Sequence, residues 1–170
     1  MAGMMSFRAF VRERRSQKQP LLLGLVLALG GCASGPHLES PNHFGIATNL
    51  TCVPYAREVS GVDLHGDAYR WWREAAGVYP RVHYPRIGAV LVFKPRGPMR
   101  VGHVAVVTAV RSEREILVTQ ANWLPGRIEY GVPVVDVSSC NDWSYVRVWY
   151  APVHGLGSTI YPTYGFILPN

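Results

Sequence analysis

The pattern of apolar and polar residues changes once along the chain, from helical spacing to short alternating segments. Between Thr51 and Gly61, and again between Asp67 and Gly77, apolar residues recur at helical spacing after a residue suited to an N-cap. Five later segments are rich in β-branched and aromatic residues and are separated by turns; they are 89–93, 103–110, 115–120, 132–137 and 145–150. Helices followed by consecutive strands predict an α+β domain, with N-terminal helices packed on a mainly antiparallel β-sheet.

The start of the chain has the pattern of a bacterial export signal. Five basic residues precede an uncharged apolar run, 21–29, which is followed by small residues and Cys32. Residues 29–32, Leu-Gly-Gly-Cys, resemble the lipobox of bacterial lipoproteins, in which the cysteine is diacylated and becomes the new N-terminus. A cleaved secretory signal and an uncleaved anchor are the alternatives. The stretch 21–31 has eleven residues, whereas a membrane-spanning helix needs about 20.

Removal of this leader changes the meaning of the charge. The whole chain has 17 Lys and Arg and 11 Asp and Glu, whereas a mature chain starting at Cys32 keeps 12 basic and 10 acidic residues, a net charge of +2. No basic cluster with interleaved aromatic residues is left, so the sequence predicts no nucleic-acid partner.

Three cysteines offer little for a disulfide framework. If Cys32 is lipidated and Cys52 is catalytic, Cys140 remains alone, and the expectation for it is a buried apolar thiol. A redox bridge between Cys52 and Cys140 is the alternative. No two of the six histidines have a ligand-like spacing with a cysteine or carboxylate pair, so neither a metal nor another cofactor is predicted.

Cys52 and His103 are the candidate nucleophile and base. A helix N-terminus and a nearby imidazole both lower a thiol pKa from its usual value of about 8.5, and Cys52 begins the first predicted helix. His103 begins a predicted strand and shares a face with Ala105 and Val107. These small or branched side chains would let the helix that carries Cys52 pack closely.

Further polar and aromatic residues are candidates for the same site. Gln120 and Asn122 lie on one face of the next predicted strand, where either could orient the imidazole or cap a turn. Tyr55 follows Cys52 by three helical positions and is a candidate to line the site or to donate to an oxyanion. Trp123 is a candidate to stack on a sugar or peptide. The alternative for both aromatic residues is ordinary packing.

The order and spacing of these residues resemble the CHAP family, the cysteine, histidine-dependent amidohydrolases and peptidases of bacterial cell walls. The resemblance covers roughly residues 44–150 and implies a papain-like fold. In that family a carboxylate or carboxamide on the strand after the histidine orients the ring, and many members carry Glu where Gln120 stands. The resemblance therefore favours Gln120 slightly over Asn122, with a departure from the common residue type.

These observations predict four segments and one activity. The segments are a lipoprotein signal peptide, 1–31, a lipid-bearing tether, 32–43, a CHAP-like catalytic domain, 44–152, and a C-terminal tail without assignment, 153–170.

The expected activity is hydrolysis of a peptidoglycan amide, either N-acetylmuramoyl-L-alanine or a bond within the stem peptide. Because Ala33 rather than Asp follows Cys32, the expected location is the periplasmic face of the outer membrane, held by the lipid. A wall hydrolase would also need a regulatory protein partner. The alternatives are a catalytically weak wall-binding or structural module, and an amidase or transferase acting on a small peptide conjugate.

Overall fold

The computed structural model describes residues 45–170. The predicted signal peptide, the candidate lipidation site Cys32 and the predicted tether therefore lie outside the described residues. Within 45–170, no helix is long and apolar enough to cross a membrane.

Two short helices and nine strands make up this part of the chain. The helices are α1, Cys52–Ser60, and α2, Trp71–Glu74, with 3₁₀ turns at Ala68–Arg70 and Ala151–Val153. The strands are β1, Ile46–Ala47; β2, Arg81–Val82; β3, Val90–Phe93; β4, His103–Ser112; β5, Glu115–Ala121; β6, Arg127–Asp136; β7, Tyr145–Tyr150; β8, Gly155–Leu156; and β9, Tyr161–Ile167.

Six of the strands close into an antiparallel barrel. The order around the ring is β3-β4-β5-β6-β7-β9, and β9 pairs with β3 to complete it. β1 extends the sheet beside β6, β2 pairs with β9, and β8 pairs with β7. Strands make up 41% of this structure and helices 15%, so the fold is mostly β. The predicted α+β, papain-like arrangement of N-terminal helices on a sheet is wrong.

β9 is the physical reason for this correction. It lies between β3 and β7 and joins the two ends of what would otherwise be an open sheet. β9 is difficult to recognise as a strand from the sequence, because Pro162 and Gly165 are residues typical of turns. Gly165 is needed here: its φ is +126°, and an added Cβ would come within 2.6 Å of the Val82 carbonyl oxygen. The C-terminal tail, which has no predicted element, thus supplies the strand that closes the barrel.

Two buried clusters lie on opposite faces of β4. Ala105 and Val107 point into the barrel interior, whereas Val104 and Val106 pack against the helical side of the domain. Alternate residues of a strand point to opposite faces, so β4 serves both clusters. α1 therefore packs on the face opposite to His103, and not on the His103 face as expected from the small residues there.

Candidate active site

Cys52 lies at the first position of α1, beside several backbone N–H groups. Thr51 occupies the N-cap position in an extended conformation, but its side chain makes no capping hydrogen bond. The N–H groups of Cys52, Val53 and Val104 favour the thiolate, whereas burial raises the thiol pKa and outweighs them. The resting side chain is therefore a neutral thiol whose surroundings already suit a negative charge.

His103 is held inside the mouth of the barrel. Its side chain is nearly buried, and its ring contacts Phe93 and Trp123 at centroid distances of 5.6 and 5.1 Å. Nε2 lies 3.1 Å from Gln120 Oε1. Burial lowers the His103 pKa to about 4, although the hydrogen bond to Gln120 acts in the opposite direction. The ring is neutral at pH 7. Because Oε1 only accepts, the tautomer that forms a hydrogen bond with it has the hydrogen on Nε2 and leaves Nδ1 free to accept a proton.

Gln120 and Asn122 have different surroundings. Gln120 lies within β5, is fully buried and contacts the His103 ring. Asn122 lies just beyond β5 with φ of +63°, and its Oδ1 accepts a hydrogen bond of 3.0 Å from the Gly126 N–H. The structure thus places Gln120 on the imidazole and Asn122 in the following turn.

Cys52 and His103 line the same open cleft, which has a volume of about 1110 Å³. Other walls of the cleft come from Asp67, Trp123 and the turn 96–101. The described residues show no hydrogen bond between the thiol and the ring. The cleft is large enough for an extended peptide or a sugar unit, and it leads to both groups.

Comparison with known proteins agrees with this geometry. Residues 42–122 match the family model of the CHAP domain. This stretch of the chain is similar to the CHAP family. No curated protein matches the chain. CHAP domains are in general amidohydrolases and peptidases of peptidoglycan, and at that level the match supports an enzyme of this kind. The matched stretch contains Cys52, His103, Gln120 and Asn122 and ends before β6.

The two aromatic candidates, Trp123 and Tyr55, lie in different places. Trp123 lines the cleft and also packs on His103 and Tyr161, so its ring has a packing role and one part of it faces the cleft. Tyr55 is buried, and its hydroxyl lies 2.6 Å from Thr119 Oγ1. That hydroxyl is directed to β5, and Tyr55 is absent from the residues that line the cleft in the described structure.

Gly102 fixes the point at which the chain enters β4. Its φ is +72°, and an added Cβ would lie 2.6 Å from the Phe93 carbonyl oxygen and 3.0 Å from the Tyr69 backbone nitrogen. The Tyr69 N–H donates a hydrogen bond of 3.0 Å to the carbonyl of Val101. Only glycine fits this close approach, which places His103 at the cleft.

Sequence reasoning missed Glu129, a buried carboxyl close to the site. Glu129 is 3% exposed and is the register partner of Gln120 across β5 and β6. The predicted strand began at residue 132, whereas β6 begins at Arg127. Gly131, with φ of +61°, interrupts the strand pattern. A regular strand extended through this glycine would pair Tyr130 with Gln120, and it is the shift in register between Val118 and Gln120 that brings Glu129 opposite Gln120.

Cys140 is exposed and free, so the expectation of a buried thiol is wrong. Cys52 is also a free cysteine, and the two form no disulfide in the structure. Among residues 45–170, no group of three or more His, Cys, Asp or Glu side chains is placed to hold a metal ion.

Proposed function

We propose that this protein is a peptidoglycan amide hydrolase in which Cys52 is the nucleophile and His103 is first the base and then the acid. The observation that carries this proposal is that a neutral imidazole, held through Nε2 by Gln120, shares one cleft with a thiol at a helix start. The substrate is an amide of the stem peptide, either its bond to N-acetylmuramic acid or a peptide bond within it.

The protonation states support attack assisted by a general base. Both groups are neutral at rest, because burial raises the Cys52 pKa and lowers that of His103. As Sγ bonds to the carbonyl carbon, its proton passes to His103 Nδ1. The C–N bond then breaks, and the amine leaves with that proton. A thioester on Cys52 remains, and a water molecule deprotonated by His103 hydrolyses it to the free acid and thiol.

The surroundings of Cys52 suit the charge that develops on the substrate oxygen. The N–H groups of Cys52 and Val53 lie at the positive end of the α1 dipole, and that of Val104 approaches from β4. Donors fixed by the backbone are typical of oxyanion holes, in which loss of one donor costs about 10² to 10³ in rate.

Digestion of purified sacculi tests the proposed reaction. Wild-type protein should release soluble fragments with new amino termini, and mass spectrometry of these fragments identifies the bond cut. Cys52→Ser should release none, because the hydroxyl pKa is far too high for this imidazole to activate it equally. Cys140→Ser is the matched control, since it removes an exposed thiol, and it should behave as wild type.

Other results would contradict the proposal. Binding to sacculi without release of fragments would instead indicate a wall-binding module. Cleavage of small peptide conjugates alone would indicate the small-molecule amidase or transferase. Full activity of Cys52→Ser with an unchanged circular dichroism spectrum would end the assignment of the nucleophile.

We also propose that the enzyme is an outer-membrane lipoprotein anchored through Cys32 and facing the periplasm. Support comes from residues 29–32 and from Ala33, as set out above. Palmitate should label the wild-type precursor and not Cys32→Ala, because the lipid is attached through that thiol. Cys140→Ser serves as the control and should keep the label. Outer-membrane fractionation of Cys32→Ala would contradict the anchor.

A further inference from the structure

A buried carboxyl lies behind the residue that holds the catalytic base. Gln120 and Glu129 are register partners on neighbouring strands, and they are 0% and 3% exposed. Directly opposed side chains of an antiparallel pair lie on the same face of the sheet. The Glu129 side chain is therefore beside that of Gln120, on the side away from His103.

The Gln120 amide uses only one of its two ends in a normal hydrogen bond. Its Oε1 contacts His103 Nε2 at 3.1 Å, whereas its buried Nε2 has no hydrogen bond of normal geometry within the described structure. A buried N–H without an acceptor lowers the stability of the fold by about 1 to 3 kcal/mol. The Gln120 Nε2 is therefore expected to form a hydrogen bond with any acceptor nearby. The Glu129 carboxyl is the neighbouring acceptor; burial raises its pKa, whereas the Gln120 amide acts in the opposite direction and favours the charged form.

Other contacts hold Glu129 in place without neutralising it. The Leu124 N–H donates to Glu129 Oε2 at 3.3 Å. Arg127 contributes a favourable field, but it forms no ion pair with Glu129 among residues 45–170. The carboxylate oxygens therefore remain available to the Gln120 amide.

We propose that Glu129 is a positioning residue that selects the orientation of the Gln120 amide and thereby the tautomer of His103. An ionised carboxylate can only accept hydrogen bonds, so it attracts Nε2 of Gln120 and leaves Oε1 directed at the imidazole. Oε1 in turn requires the hydrogen to be on His103 Nε2. The reversed amide would place an N–H against His103 Nε2, move the ring hydrogen to Nδ1 and block proton transfer from Cys52.

This inference rests on the proposed function for its catalytic consequence, but the tautomer can be measured without a substrate. Under this proposal the site has a carboxylate after all. The carboxylate of Glu129 acts on His103 through the Gln120 side chain, whereas a Glu at position 120 would contact the ring directly. The orienting unit is then His103, Gln120 and Glu129 in series, from the three adjacent strands β4, β5 and β6.

Nitrogen-15 NMR of the histidine side chains tests the inference at pH 7. The His103 signals are assigned as those lost in His103→Gln. Wild-type protein should show hydrogen on Nε2, and Glu129→Gln should show a mixture of tautomers, because an amide at 129 no longer discriminates between the two ends of Gln120. Glu115→Gln is the matched control: it removes the same charge from the far end of β5 and should leave the tautomer unchanged.

An exchange of the two side chains supplies a second readout. Gln120→Glu alone places two carboxyls side by side, and such a pair does not ionise fully. Glu129→Gln should lower hydrolysis about 10-fold or more, as a misassigned tautomer does. The double variant Gln120→Glu/Glu129→Gln restores one carboxylate and one amide, and it should exceed Gln120→Glu about 10-fold in rate. A residue that only fills space would give no such rescue.

Each outcome decides a separate point. Hydrogen on Nδ1 in wild-type protein overturns the inference, even if no variant folds. An unchanged tautomer in folded Glu129→Gln overturns it as well. If the tautomer shifts as expected but wild-type protein releases nothing from sacculi, the proposed function fails and the role of Glu129 in orienting the ring stands.

Discussion

The two sides of the cleft hold their reactive groups in different ways. On the helical side, Cys52 is only partly buried and is surrounded by backbone N–H groups of α1 and β4. On the barrel side, His103 is nearly buried and depends on the side chain of Gln120, which in turn lies against Glu129. The surroundings of the thiol are thus set by backbone N–H groups, whereas the orientation of the imidazole depends on which side chains are buried beside it.

Because of this difference, we expect substitutions near Cys52 and substitutions near His103 to have different effects. Backbone donors around Cys52 persist when neighbouring side chains change, provided that the helix and strand stay in place. Around His103, a single side-chain change leaves a buried polar group without its partner, at a cost of about 1 to 3 kcal/mol. We therefore expect the base side of the cleft to be the more sensitive to substitution.

The largest effect expected on stability is a pH dependence caused by His103. Its pKa is about 4 in the folded protein and 6.5 in the unfolded chain, so the unfolded state binds more protons between these values. The contribution is fully present above pH 6.5 and is lost as the pH falls to about 4, by about 3 kcal/mol in total. Urea unfolding of wild type and His103→Gln across this range measures it. A constant difference between the two proteins would contradict the burial of a neutral imidazole.

The next effect separates the two polar residues at the end of β5. Gln120→Ala should lower the hydrolysis rate on the order of 10²-fold, because the base loses its orienting partner. Asn122→Ala removes only the side-chain contact to the Gly126 N–H and should change the rate a few-fold at most. Initial rates on solubilised peptidoglycan compare them. If Asn122→Ala is the more damaging change, the orienting role passes to Asn122.

The glycine before β4 offers a comparison that is free of side-chain chemistry. Gly102→Ala should destabilise the fold by about 2 kcal/mol or more, since it adds a close contact with Phe93 to the strain of a positive φ. Gly77→Ala has a similar φ of +77° with no atom within 4 Å of the added Cβ, so it reports the strain alone. Thermal unfolding should rank Gly102→Ala well below Gly77→Ala. Equal melting temperatures would mean that the entry to β4 is not tightly packed.

The smallest expected effect is on stability, from a substitution in α1 on the helical side of the cleft. Tyr55→Phe removes the hydroxyl that contacts Thr119 and should cost about 1 kcal/mol in stability, with hydrolysis unchanged within about two-fold. The half-exposed Tyr145 is the matched control, and Tyr145→Phe should have no measurable effect on unfolding. A large loss of activity in folded Tyr55→Phe would instead place this hydroxyl in the reaction.

Most of the local secondary structure could be predicted from the sequence, but the closure of the sheet into a barrel could not. The predicted helix after Thr51 and the five predicted strands all have counterparts, because their periodicity is continuous. The barrel was not predictable from that periodicity, since β9 contains a proline and a glycine and joins strands far apart in the chain. An open sheet and a closed barrel share the same local pattern and differ only in which edges meet.

The same limit applies to the candidate site. Cys52 and His103, with Gln120 or Asn122 as the orienting residue, were predicted from their residue types, their order and a family resemblance. The structure brings Cys52 and His103 to one cleft and places Gln120 against the His103 ring. Glu129 was not found, because a bulge at Gly131 shifts the register of β5 and β6 and so decides which β6 residue faces Gln120. Pairing across a bulge is a property of two strands together, and neither strand alone shows it.

The central claim is that Cys52 and His103 act as one unit on a peptidoglycan amide, and a double-variant cycle tests it most directly. The rate of amine release from peptidoglycan is measured for wild type, Cys52→Ala, His103→Ala and the double variant. Residues that act as a unit are strongly non-additive, so the double variant should lose no more than the more damaging single variant. Losses that multiply, or a single variant that retains near wild-type activity while folded, would contradict the account.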